Sequence, residues 1–264
     1  MIPLAVRAIG IRAPGLPDWS SAQPVLAGTQ PYVFAAMPPL AVAALPVTER
    51  RRANETSRLA LAAAMDATRA IGDGERAALR TVFASADGDG EVLASVLREL
   101  AQPLPLLSPT TFHNSVFNAP AGYWSIAAQA EAASTTICGG PATFAVGLLE
   151  AVAQATTGEP VLLVAYDHAF PADAPLRGSA NASFACALLL QAADRCSAPK
   201  QARLSGLRID AGSATAGADT FSIFAGNAAA AALPLLAAIA RGADTDIALP
   251  LDDAERATVE VRCS

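Results

Sequence analysis

From residue 4 to residue 12, apolar positions alternate with others in the stretch LAVRAIGIR, the period of a strand with one buried face. Residues 19 to 48 carry no charge and contain five prolines, so they read as a proline-rich loop reaching to about 46. A basic turn follows, and the helical spacing in ERRRANETSRLALAAAMDATRAIG predicts a helix from about 54 to 71, with Asn54 as N-cap and Gly72 as the stop. LRTVFASADGDG predicts a strand running into a glycine-rich loop, and EVLASVLREL the helix after it. Residues 108 to 128 read as two helical pieces broken at Pro120. AASTTI predicts a strand, 141 to 156 a helix, and EPVLLVAYD a strand whose unbroken apolar run suits the middle of a sheet covered on both faces. SFACALLLQ and ARLSGLRID predict two more strands, then come a helix from 227 to 241 and a final strand in ATVEVRC.

Strands alternating with helices predict a layered α/β fold with a mixed sheet, organised as a single domain over residues 1–264 with no internal repeat or linker. With 53% hydrophobic and 16% charged residues and a mean hydropathy of +0.36, the chain has an ample core and little charge to spread over its surface, so a hidden interface is expected. A membrane span is not: residues 220 to 240 are long enough, yet they are alanine-based and hold Gly226, Asn227 and Pro234, which suits a buried helix starting near Asn227. Arg7 and Arg12 interrupt the apolar N-terminus, so it does not read as a signal peptide. The net charge of −6 disfavours a nucleic-acid partner, whose phosphates call for clustered Lys and Arg. Cys138, Cys186, Cys196 and Cys263 lack metal-site spacing, which predicts buried free thiols, no zinc and a reducing, cytoplasmic setting.

Three segments, in order, resemble the N-terminal half of β-ketoacyl synthases of the thiolase-like fold. They are FASADGDG (83 to 90), SPTTFHNSVFNAPAGYWSI (108 to 126) and EAASTTICGGPATFAVGLLE (131 to 150), the last leading to VLLVAYD. Asn118, Ala121 and Gly122 are the most specific matches. The resemblance implies a layered α/β/α half of that fold, with the first two segments lining an acyl tunnel at a dimer interface. It is closest to short ketosynthase-like subunits that act as chain-length factors in aryl polyene biosynthesis and pair with an active ketosynthase.

The family's nucleophile is a cysteine at the strand-to-helix turn, which raises the same question of Cys138. The chemistry needs a thiolate and donors for a developing enolate oxygen, supplied in the family by two downstream histidines. No histidine follows His168, and His113 precedes the cysteine. Counted back from Gly147, the family's nucleophile position falls on Gly139, one residue past Cys138. Cys138 is therefore expected to be a buried structural thiol, and both histidines surface or interface residues. DGDGE (87 to 91) lacks the spacing of a calcium loop and reads as a turn, Ser125 and Ser134 have no triad partners, and GxGxxG is absent, so no metal or cofactor is expected.

The reading favoured by the resemblance is a non-catalytic chain-length factor. It would form a heterodimer with a full-length ketosynthase through the strand near 133 to 137, and meet an acyl carrier protein only indirectly. Asp87, Phe112, Phe117, Asn118 and Gly139 are its expected tunnel or interface residues, with the alternative for Phe112 and Phe117 that they fill this subunit's own core. Two other functions stay open: a self-sufficient acyltransferase or thioesterase using Cys138 with His113, and a stand-alone acyl-binding homodimer.

Overall fold

The computed structural model describes residues 2–40, 42–170, 180–212 and 219–263. The chain opens with strand β1 (Leu4–Arg12), as the alternation predicts. A helix not foreseen from the sequence follows, α1 (Trp19–Leu26). The Asp18 carboxylate caps it by accepting the Ser21 N–H at 2.8 Å, and it buries Trp19, Ala22 and Leu26, one side of the helix, despite Pro24 inside. After a short helix α2 (Val47–Arg52) comes α3 (Glu55–Ala67), whose N-terminus is capped by the Asn54 side chain accepting the Ser57 N–H. It stops at Ala67 rather than at 71, and Gly72 instead precedes the short helix α4 (Asp73–Ala77).

Strand β2 (Arg80–Ala84) leads through the glycine-rich loop into α5 (Gly90–Leu100). Helices α6 (Pro109–Asn114) and α7 (Ala119–Ala128) are the two predicted pieces, but the break falls at residues 115–118. Pro120 sits in the first turn of α7, where its missing N–H costs no helical bond. Then come β3 (Ser134–Ile137), α8 (Thr143–Ala155), β4 (Val161–Asp167), β5 (Phe184–Ala192) and β6 (Ala202–Ala211). The predicted helix at 227–241 is a 3₁₀ turn at Ala229–Ala232 followed by α9 (Leu233–Arg241), with Pro234 in the first α-helical turn. An unforeseen strand β7 (Thr245–Pro250) precedes β8 (Glu255–Arg262). Among the described residues no helix is long and apolar enough to cross a membrane.

The eight strands form one mixed sheet in the order β3-β2-β4-β5-β1-β6-β8-β7. β3, β2 and β4 run parallel, and the remaining pairings are antiparallel. A core lies on each face. Val161, Leu163 and Ala165 of β4 point into the core shared with α1, α8 and α9, while Leu162, Val164 and Tyr166 point into the one shared with α3 and α7. Close approach of the layers depends on two glycines. A Cβ on Gly10 of β1 would lie 2.0 Å from the Ala63 carbonyl oxygen of α3, and one on Gly147 of α8 would lie 2.8 Å from the Ala84 Cβ of β2.

Candidate functional site

The three parallel strands end side by side, with Ala84 paired to both Ile137 and Ala165, so their C-terminal ends and the loops beyond them share one edge of the molecule. This is where α/β sheets usually place ligands. The loop after β2, Ser85 to Asp89, is held from below by Asp167, the last residue of β4. One oxygen of that buried carboxylate accepts the Ser85 hydroxyl at 2.8 Å and the N–H groups of Ala86 and Asp87 at 2.8 and 3.2 Å. Its other oxygen accepts the Ala229 N–H at 3.3 Å. Burial pushes the Asp167 carboxyl up to about 6, against the pull of the Ser85 hydroxyl and the two amides. Asn227 completes the anchor. Its side-chain amide donates to the carbonyls of Asp167 and Ala182 at 3.0 and 2.8 Å, and its oxygen accepts the Ala229 and Ala230 N–H groups that open the 3₁₀ turn.

On one side of this loop lies a cleft of about 120 Å³, continuous with solvent, formed by Asp87, Gly88 and Asp89 against Asn114 to Phe117 and the N-terminus of α3. Tyr166 lies at its inner wall, fully buried, and among the described residues its hydroxyl has no hydrogen-bond partner. On the other side stands Cys138, whose thiol donates to the Ala86 carbonyl at 3.4 Å. Cys138 is exposed, not buried as its place after a β-branched strand suggests, because β3 is the last strand of the sheet and among the described residues no element covers its outer side. Of the four free cysteines only Cys186 is fully enclosed, and burial pushes its thiol up to about 12; Cys196 and Cys263 are half-buried.

The predicted site residues divide accordingly. Asp87 and Phe117 meet in the cleft. Phe112 and Asn118 lie on the same α6–α7 segment but outside the cleft wall, both exposed, and Asn118 precedes α7 without capping it through its side chain. Neither Phe112, 64% exposed, nor Phe117, 37% exposed, fills the core. Gly139 sits beyond the cleft at the start of the turn into α8, its N–H donating to the Thr143 hydroxyl. His113 is exposed and stacks edge-on against Tyr123, and His168 Nδ1 lies 3.0 Å from the Ala169 carbonyl oxygen. Among the described contacts neither histidine reaches Cys138. Asp89 spends its carboxylate on capping α5 through the Val92 N–H, as befits a turn. Among the described residues no cluster of His, Cys, Asp and Glu is arranged to hold a metal. Tyr166 and Asp167 went unnoticed in the sequence because they end a strand that reads as core throughout; only the polar pair after an apolar run marks them.

The fold matches that of solved structures. A ketosynthase in complex with its chain length factor from Xenorhabdus doucetiae is 24% identical with a TM-score of 0.70, the match covering 98% of this chain and 100% of that one. The ishigamide ketosynthase/chain length factor superposes with a TM-score of 0.77 at 13% identity, covering 98% of this chain and 99% of that one. A β-ketoacyl synthase from Burkholderia phymatum STM815 is 13% identical with a TM-score of 0.61, over 92% of this chain and 71% of that one. At these identities the likeness establishes the thiolase-like ketosynthase fold. Comparison with curated proteins gives no match. The family model for the β-ketoacyl synthase N-terminal domain matches residues 19–241, most of the chain. The chain, with its loops gathered at the ends of three parallel strands, therefore belongs to the β-ketoacyl synthase N-terminal domain family.

Proposed function

We propose that this protein is a non-catalytic chain-length factor. As a single domain it pairs with a full-length ketosynthase through the outer edge of β3 and closes the partner's acyl tunnel with the loop at 85–89 and the α6–α7 turn, in polyketide-like synthesis of the aryl polyene type in the cytoplasm. The observation that carries this reading is the juxtaposition of a cleft with an unpaired strand edge. Thr81 N–H donates to the Ala133 carbonyl and Ser85 N–H to the Ile137 carbonyl, so odd-numbered residues of β3 bond inward, and Ser134 and Thr136 turn their backbone groups outward. Exposed Val116 and Phe117 at the cleft, with exposed Phe112 on the same α6–α7 segment, add apolar surface beside it. Two of the similar structures contain a ketosynthase with a chain length factor, which supports the same pairing here.

Chain length would be limited by the side chains that end the tunnel, since forcing two further carbons against them costs about 1–3 kcal/mol of overpacking. Phe117 lines the cleft, and Phe112 is exposed on the same α6–α7 segment outside the cleft wall. Co-expression with a ketosynthase and mass spectrometry of carrier-bound products test the reading. Phe117→Ala is expected to lengthen the products by one or more two-carbon units at unchanged rate, with Phe112→Ala acting in the same direction. An unchanged distribution for both in assembled complexes removes the tunnel assignment, and failure to co-purify with any ketosynthase removes the pairing.

A second reading, in which Cys138 is itself an acyl-accepting nucleophile, draws on its exposure. Against it, the thiol proton is committed to the Ala86 carbonyl, and no histidine among the described contacts is placed to take it. Cys138→Ala is expected to leave the assembled complex within a few-fold of wild type; loss of product with the complex intact would favour the second reading.

A further inference from the structure

Among the described residues, every hydrogen bond that reaches the Asp167 side chain is a donation to it. Oδ1 accepts from the Ser85 hydroxyl and from the Ala86 and Asp87 amides, and Oδ2 accepts from the Ala229 amide. Four donors and no acceptor are the surroundings of an ionised carboxylate, because the O–H of the acid has nothing to donate to unless one of these groups turns away. The titratable groups around it are Asp87 and Asp89 on the loop, Tyr166 and His168 on either side of it in the chain, and Cys138, whose thiol is turned to the Ala86 carbonyl. Phe184, its partner in β5, and the turn at 227–232 bring none.

The whole loop hangs on this carboxylate. Ser85, while donating to it, accepts the Gly88 amide at 2.9 Å, so the grip runs on to the loop's tip. Gly88 is left-handed there, with φ 62°, and the Phe117 ring closes over it: a Cβ at Gly88 would lie 3.3 Å from the ring. On the opposite side the Ala86 carbonyl takes the Cys138 thiol. A change at Asp167 therefore reaches the cleft on one flank and Cys138 on the other.

Proton uptake weakens the grip whichever oxygen receives it. On Oδ1 the new O–H displaces Ser85 and the two loop amides. On Oδ2 it faces the Ala229 N–H, and the three loop bonds change from charge-assisted to neutral, about half as strong. Reciprocity gives the same sense: the loop's donors draw the carboxyl down, so the ionised form holds the loop more tightly than the acid does. Burial meanwhile raises the carboxyl to about 6, which brings the change close to neutral pH. The loop is held above that pH and loosened below it, opposite in sense to the effect of burial on the whole fold.

We propose that Asp167 is a proton-sensitive latch: as a carboxylate it holds the 85–89 loop against Phe117, and as an acid it lets the loop move. The device goes beyond the chain-length reading, and its test needs no partner.

Hydrogen exchange of the full chain, read amide by amide by NMR and corrected for intrinsic rates, decides it. The wild-type amides of Ala86, Asp87 and Gly88 are expected to lose about tenfold in protection between about pH 8 and about pH 5, while Leu163 in the middle of β4 keeps its own. Asp167→Asn, neutral at every pH, is expected to show the low protection throughout. Ser85→Ala is expected to strip Gly88 of protection at both pH values and to leave the step at Ala86. If Asp167→Asn fails to fold, the carbon-13 shift of the wild-type Asp167 carboxyl serves instead, since it must titrate with the midpoint of the loop amides. Constant protection in wild type, high protection in Asp167→Asn at the upper pH, or a step that persists in that variant would each overturn the proposal. So would Gly88 protection retained in Ser85→Ala, a step that vanishes in His168→Gln, or a carboxyl midpoint separate from that of the loop.

Discussion

The two ends of the sheet are built on opposite plans. At the β3-β2-β4 end the strands are parallel, α8 covers one face and α3 and α7 the other, and every residue of β4 is buried. At the β6-β8-β7 end the strands are antiparallel, α9 packs on one face, and the other carries Arg208 and Arg262 among Asp210, Asp246 and Glu260. That is the usual division between parallel sheets, which need both faces covered, and antiparallel ones, which tolerate solvent on one. The outer edges differ as well. β7 ends in Pro250, which cannot donate to another strand, and carries Asp246 held by Arg208 at 3.3 Å and Arg262 at 3.8 Å. β3 reads Ser-Thr-Thr-Ile, with neither charge nor proline. Proteins blunt the edges they keep free with charge and proline, so the plain edge beside the cleft is the one left ready for another strand.

Four measurements would break or sharpen this contrast. The largest effect is expected from Thr136→Pro, which removes an outward N–H of β3 without touching its ladder to β2. The chain should keep its circular dichroism and lose the ketosynthase complex on gel filtration, and a complex that survives would show that β3 is not the docking edge.

Next comes Asp167 at the buried end. Its carboxyl holds a proton more tightly in the folded chain, with a pKa of about 6, than in the unfolded one, where a value of about 4 is ordinary. Its contribution to stability is therefore present below about pH 4 and lost as pH rises through about 6, amounting to as much as about 3 kcal/mol. Asp167→Asn keeps an oxygen for Ser85, Ala86 and Asp87 but cannot ionise. Denaturant titrations of both proteins should show the fall between pH 4 and pH 7 in wild type only; parallel curves would contradict the burial argument.

A smaller loss is expected where α8 backs onto the parallel strands. Gly147→Val would press a side chain against the Ala84 Cβ and against Leu163, whose Cδ1 would lie 3.2 Å from the new Cβ, and should cost about 1–3 kcal/mol in thermal unfolding. The smallest belongs to the solvated end. Asp246→Asn breaks exposed ion pairs and should shift Tm by less than about 2 °C, so a larger drop would mean that the open face is structurally committed.

Much of the layered half was legible in the chain. The alternation at 4–12, the unbroken apolar run at 161–167, Asn54 as a cap and the glycine-rich turn after residue 84 each encode local structure, and each formed where expected. Helix α1 was hidden because Pro24 argues against a helix more loudly than Asp18 and the spacing of Trp19, Ala22 and Leu26 argue for one. Strand β7 was hidden because six residues ending in proline resemble a turn. Asp87 and Phe117 were named from segments some thirty residues apart, and the fold does bring them together; Phe112 and Asn118, singled out beside them, lie outside the cleft.

The sequence by itself determined the period of each element, and with it the two-sided burial of β4 and the one-sided burial of β8, because alternation and helical spacing are local properties of a chain. It also determined membership of a family, through short segments in a fixed order. Only the tertiary structure decided which strand stands at the edge, that Cys138 is exposed there, that Tyr166 is buried at a cleft wall, and that Asp167 anchors the loop above it. Each of these depends on pairing between residues far apart in the chain, and sheet order is set by how whole layers pack, not by the residues on either side of a position.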